Sequence, residues 1–243
     1  MIYSVPAPSG DQFIAAHRDF LSFLAGFRQQ LPSLKMADLV GSAPARVAVV
    51  SVDVVKGFCS QGAMCSPRVA RIVPEVKRII HAAQQVGVPH FLFTCDTHTP
   101  DSREFDTWPA HCIEGTPEAE LEDELLNMPG ADKFVVIPKP SINSLIDTEL
   151  ATRLDAIQPQ ALIALGDVTD LCYYQLATNL KMLANARGWK CRVIAPLSAV
   201  ETYDLAVPVA QELGVLPHDG DFINAFFAYH LQATGVEAVQ DLR

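Results

Sequence analysis

Two short runs, Val47-Ala48-Val49-Val50-Ser51-Val52 and Ala161-Leu162-Ile163-Ala164-Leu165, contain no charged residue. A strand with one solvated face alternates apolar and polar residues, whereas a strand covered on both faces reads as an unbroken apolar run. Both segments therefore predict buried parallel strands, and parallel neighbours must be joined by crossovers, usually helices. The rest of the sequence supplies them. Pro74 opens a helix that Gly87 closes, and a strand from His90 to Thr94 follows at once. Further along, Lys133 to Ile137 reads as a strand and Leu150 to Ile157 as a short helix. After the 161–165 strand come a helix over Tyr173 to Asn185, a strand over Lys190 to Ala195, a helix from Leu205 to Leu213 and a last helical stretch, Phe222 to Gln232. This alternation predicts a three-layer α/β/α fold with a central, mostly parallel sheet of Rossmann-like topology.

Residues 1–44 precede the first strand as a helical extension, and residues 45–243 form the domain itself. Within the extension Phe13, Ile14, His17, Leu21, Leu24 and Phe27 recur at helical spacing, and the helix should end before Pro32. That stripe is expected to cover the back of the domain or a neighbouring subunit, so a homo-oligomer is expected. With 49% hydrophobic residues in 243, one α/β domain can bury a substantial core. No apolar run approaches the ~18 residues of a membrane span, and no signal peptide is recognised, so a cytoplasmic protein is expected. The formal net charge of −10 and the lack of a basic cluster argue against nucleic acid and anionic membrane as partners. Six cysteines without a C-x-x-C pair disfavour a structural zinc ribbon and suit free thiols in a reducing compartment.

In open α/β sheets ligands gather beyond the carboxyl ends of the strands. Three polar residues stand at such ends here: Asp53, Lys139 and Cys172. Singly they have ordinary explanations, since Asp caps helices, Lys is usually a solvated charge and Cys packs as a small hydrophobe. Together they form a workable set: Asp53 takes the thiol proton, the Lys139 ammonium favours the thiolate and Cys172 attacks a carbonyl carbon. The turn Gly166-Asp167-Val168-Thr169-Asp170-Leu171-Cys172 also puts the thiol in the first turn of a helix, where the dipole favours the anion.

The long polar loop from Cys95 to Gly115 exceeds what a connection requires. A helix is expected to begin after it, at Thr116-Pro117-Glu118. Asp96 and His98, two apart at a strand end, point to one side and can grip an ion, with Glu104 and His111 reaching it from the loop. Such a donor set suits Zn²⁺ first, with Fe²⁺ or Mn²⁺ as alternatives, and leaves a coordination position open. The same residues can equally be loop polars bonded to backbone.

Taken in order, Val52-Asp53 with Gly57-Phe58, Cys95-Asp96-Thr97-His98, Trp108-Pro109-Ala110-His111-Cys112, Gly115 to Leu121, Lys139, and the 166–172 turn resemble the isochorismatase-like cysteine hydrolases, most of all the nicotinamidases. The resemblance spans about Arg46 to Phe227. It implies an Asp53, Lys139 and Cys172 triad, an oxyanion hole from the backbone N–H groups of Val168 and Cys172, and a cis peptide between Asp167 and Val168. It implies metal ligation by Asp96, His98 and His111, with Glu104 at a variable position, and ring contacts from Phe58 and Trp108. The activity implied is hydrolysis of a small heteroaromatic amide, nicotinamide to nicotinate and ammonia; another small amide or carbamoyl compound, or an isochorismatase-type vinyl ether, is the alternative. Three stretches depart from the pattern: Val54-Val55-Lys56, Pro140-Ser141-Ile142-Asn143-Ser144 and the pair Asp167-Val168, the last replacing a commoner apolar residue and Ala.

Overall fold

A computed structural model describes residues 9–243. The first helix, α1 (Gly10–Gln30), opens with a capping box in which Ser9 Oγ accepts from the Gln12 N–H and the Gln12 side chain accepts from the Ser9 N–H, and it stops two residues before Pro32. α2 (Met36–Val40) leads into β1 (Val47–Val52), then α3 (Lys56–Cys59), α4 (Val73–Gln85) and β2 (His90–Asp96). Beyond a long segment holding α5 (Asp123–Leu126) come β3 (Val135–Lys139), α6 (Leu150–Ile157), β4 (Ala161–Asp167) and α7 (Cys172–Ala186). β5 (Arg192–Pro196), β6 (Val200–Glu201), α8 (Val207–Leu213), α9 (Gly220–Ala233) and β7 (Glu237–Val239) complete the chain.

The strands form one seven-stranded sheet in the order β3-β2-β1-β4-β5-β7, with β6 pairing β4, and every pairing is parallel. β1 and β4 lie side by side at its centre and are buried at every residue, which is why neither shows polar alternation. Alternate residues feed two cores. Val49, Ile163 and Leu165 pack with α4 on one face, while Ala48, Val50, Leu162 and Ala164 pack with α7 on the other.

Several boundaries differ from those expected. β2 continues through Asp96 and β3 through Lys139, so both residues belong to the strands and sit opposite each other in register. The helix expected from Thr116 is a single 3-10 turn, Pro117–Ala119, which ends as the chain bonds back to Lys56. The apolar stripe of α1 is only partly used. Leu24 is buried, and Phe20, Phe23 and Phe27 set their rings 5.5–6.0 Å from that of Tyr229 on α9, yet Phe13 and Ile14 stay more than half exposed. Among the described residues no helix is long and apolar enough to cross a membrane.

Candidate active site

The carboxyl ends of β1, β2, β3 and β4 surround one cavity of about 510 Å³, solvent at its mouth included. β1 delivers Asp53, whose φ of 57° breaks the strand there, a conformation Asp tolerates far better than a β-branched residue. One carboxylate oxygen, Oδ1, accepts from the Asp96 N–H at 2.8 Å, and Oδ2 lies 2.8 Å from Lys139 Nζ. Lys139 is completely buried, pairs also with Asp96 Oδ1, and donates to the Ser141 carbonyl at 3.1 Å and to Cys172 Sγ at 3.6 Å. Ligand atoms of Asp53, Asp96 and Cys172 all lie within 4.8 Å of one another.

Burial dominates the electrostatics. It raises the Cys172 thiol well above its ordinary value, with Asp53 adding to the rise and only Lys139 opposing it. A helix start favours a resting thiolate, as expected from the sequence, but here desolvation outweighs it and the thiol is neutral until its proton is taken. Burial together with the Asp96 carboxylate pushes Asp53 up to about 6 against the pull of Lys139. Burial would lift Asp96 as well, but the Lys139 ammonium, with the His111 and His98 imidazoles close by, holds it below the usual carboxylate range.

Beside this set, Asp96, His98, Glu104 and His111 bring their ligand atoms within 4.8 Å of one another. Asp96 Oδ2 lies 3.6 Å from His98 Nε2 and 3.5 Å from His111 Nε2. His111 Nδ1 donates to the Pro109 carbonyl at 2.7 Å, which leaves Nε2 as the lone-pair atom turned inward. His98 Nε2 is buried without a hydrogen-bond partner. Two inward imidazole nitrogens and two carboxylates fit a divalent cation that accepts mixed nitrogen and oxygen ligands. Phe105, which the sequence did not single out, lies edge-on to both imidazoles at 5.5 and 5.6 Å and holds their orientation.

Phe58 and Trp108 both line the cavity, with the Phe58 ring 5.5 Å from that of His111. Val168 and Leu171 line it as well, and the Asp167–Val168 bond is cis. The turn they occupy is tied down by its neighbours: the Thr169 N–H donates to the Glu201 carbonyl, and Thr169 Oγ1 donates to Asn224 Oδ1 at 2.6 Å. Gly166 is required just before it, since at φ 117° a Cβ would stand 1.9 Å from the Val52 carbonyl oxygen. Asn143 and Ser144 do not line the cavity. Asn143 Oδ1 accepts from the Leu145 N–H in a turn, and Ser144 bonds Thr94 Oγ1. Ile142 and Tyr203 do line it, and neither carried a signal in the sequence. Tyr203 stacks on His218 with ring centroids 3.8 Å apart, and His218 is fixed between the Tyr203 carbonyl and Asp170. An Asp, Lys and Cys with this geometry can add a sulfur nucleophile to an acyl carbon and move the proton released.

Comparisons with known proteins bear on the family and the fold. Residues 47–199 match the isochorismatase domain family. Nicotinamidase 1 of Arabidopsis thaliana is 25% identical over 237 residues, spanning 88% of this chain and 94% of that protein. A cysteine hydrolase from Pseudomonas syringae superposes with a TM-score of 0.67 at 22% identity, over 81% of this chain and 89% of that one. The zinc complex of pyrazinamidase from Pyrococcus horikoshii superposes with a TM-score of 0.61 at 22% identity, over 80% and 99%. The structural likenesses establish a shared fold, and the family match, which spans more than half of the sequence, places this chain in the isochorismatase family.

Proposed function

We propose that this chain is a cysteine amidohydrolase that converts nicotinamide to nicotinate and ammonia through a thioester. The observation that carries the reading is Lys139 Nζ standing 3.6 Å from Cys172 Sγ and 2.8 Å from Asp53 Oδ2, with Cys172 and Asp53 lining one cavity alongside Phe58, Trp108 and Tyr203. Asp53 takes the thiol proton as sulfur attacks the carboxamide carbon, and the Lys139 ammonium offsets the charge that develops. The backbone N–H groups of Val168 and Cys172 stabilise the tetrahedral oxyanion, each worth roughly 10²–10³ in rate. Asp53 then returns the proton to the departing nitrogen, ammonia leaves, and water taken in on the same side hydrolyses the thioester, with Asp53 again the base.

Asp96, His98, Glu104 and His111 would hold a divalent metal, zinc being the first expectation. Bound there, it supplies a Lewis acid for a ring nitrogen, which orients a flat heteroaromatic amide between the aromatic walls. Nicotinamidase 1 at 25% identity supports the substrate, and the pyrazinamidase zinc complex supports the metal. The test is ammonia release from a panel of aromatic and aliphatic primary amides, before and after chelation and metal return. Nicotinamide is expected to be the best substrate, and Cys172→Ala to reduce turnover by at least about 10⁴-fold. Substantial activity in Cys172→Ala, or turnover confined to aliphatic carbamoyl compounds, would refute the reading.

A further inference from the structure

Asp167 has no part in the chemistry above, yet it is the least accounted-for polar residue of the cavity. It lines the wall, is completely buried, and neither of its carboxyl oxygens has a hydrogen-bond partner within the protein. Buried polar groups in folded proteins are overwhelmingly paired, and an apolar side chain of similar shape would serve stability better. Its placement is not accidental to the fold. Val52 and Gly166 are register partners on β1 and β4, so Asp167 stands beside Asp53 at the strand ends. Burial first, and the Asp53 carboxylate second, raise the Asp167 carboxyl well above its ordinary value, so it presents a neutral acid with one acceptor carbonyl and one O–H.

The side of the cavity that Asp53 occupies is the side on which the leaving nitrogen must lie, because Asp53 protonates it. A primary carboxamide nitrogen carries two N–H groups, and Asp53 can satisfy only one of them directly as it exchanges its proton. We propose that Asp167 is a specificity-determining residue that accepts the second N–H of the scissile carboxamide, and so restricts the enzyme to primary amides and carbamoyl groups. This rests on the amidohydrolase reading, but not on nicotinamide as the substrate. An N-alkyl amide offers one N–H and a bulky carbon where Asp167 stands, so it loses the contact and meets the carboxyl.

The test compares wild type, Asp167→Asn and Asp167→Leu on nicotinamide and N-methylnicotinamide, with thermal melting of each protein. Asp167→Asn keeps a carbonyl acceptor of the same shape and should hold kcat/KM within several-fold. Asp167→Leu should lose about 10- to 100-fold in kcat/KM on the primary amide and narrow the preference over the N-methyl amide, while its melting temperature rises. A purely structural carboxyl predicts the opposite melting shift. Unchanged kcat/KM and unchanged preference in Asp167→Leu overturn the proposal, as does Asp167→Asn failing as badly as Leu. Should Asp167→Leu not fold, the wild type still decides: equal turnover of the two amides also overturns it. If nicotinamide is inert but another primary amide is hydrolysed, the substrate reading fails, and the same comparison is run on that amide and its N-methyl form.

Discussion

Lys139 shows how much of this molecule turns on single charges. Its ammonium is sealed from solvent between the carboxylates of Asp53 and Asp96, which lift its proton affinity although burial opposes them. Removing one partner of a buried ionic set costs far more than replacing the whole set, because the remaining charges are stranded. Lys139→Met should therefore lower stability by about 3–5 kcal/mol, read as a fall in the denaturant midpoint, and abolish amide turnover. A variant as stable as wild type would show that the two carboxylates do not depend on this cation. The same logic separates what residue types could tell from what they could not. Asp53, Lys139 and Cys172 were legible as strand-end polars, whereas Asp167 stood out only as a departure. Its lack of partners is a property of three dimensions.

At the scale of elements, the turn from β4 into α7 and the segment from Thr202 to His218 are pinned together through Asp170. Its carboxylate accepts from Thr202 Oγ1 at 2.9 Å and faces His218 Nε2 at 3.0 Å. Burial alone would raise Asp170, but these bonds win and hold it below its ordinary value. A carboxyl with a depressed folded value stabilises the protein above the unfolded value, near 4, and loses that contribution as pH falls through the folded one. Asp170→Asn should thus melt lower than wild type near neutral pH, by about 1–3 kcal/mol, and the gap should close in strong acid. A gap independent of pH would mean the charge is irrelevant. Elements also set the limit of the sequence reading. The central strands were legible because burial on both faces erases alternation. The two-residue strand β6 and the short helices α2, α3 and α5 were not, being fixed by distant bonds such as Lys56 N–H to the Glu120 carbonyl rather than by local pattern.

For the whole molecule, the candidate metal centre ties the end of β2 to the loop that follows it, all within residues 96–111. Asp96 ends β2, His98 follows it, and Glu104 and His111 come from the long connection before β3. Because the cluster exists only when the chain is folded, any cation it holds binds the native state and stabilises it by mass action. At a free metal concentration of 100 times the dissociation constant that is about 2.7 kcal/mol, which for a chain of this size is roughly 5–11 °C in melting temperature. The unfolded chain also has ligands, with 6 cysteines and 7 histidines, and zinc captured there would shrink the shift. Mn²⁺ binds thiolates less avidly, so the two metals bracket the effect. His111→Ala removes one inward nitrogen without altering the cysteines, so it should abolish most of the rise while leaving the unfolded-state term in place. Equal shifts in wild type and His111→Ala, with either metal, would show that this cluster does not bind the cation.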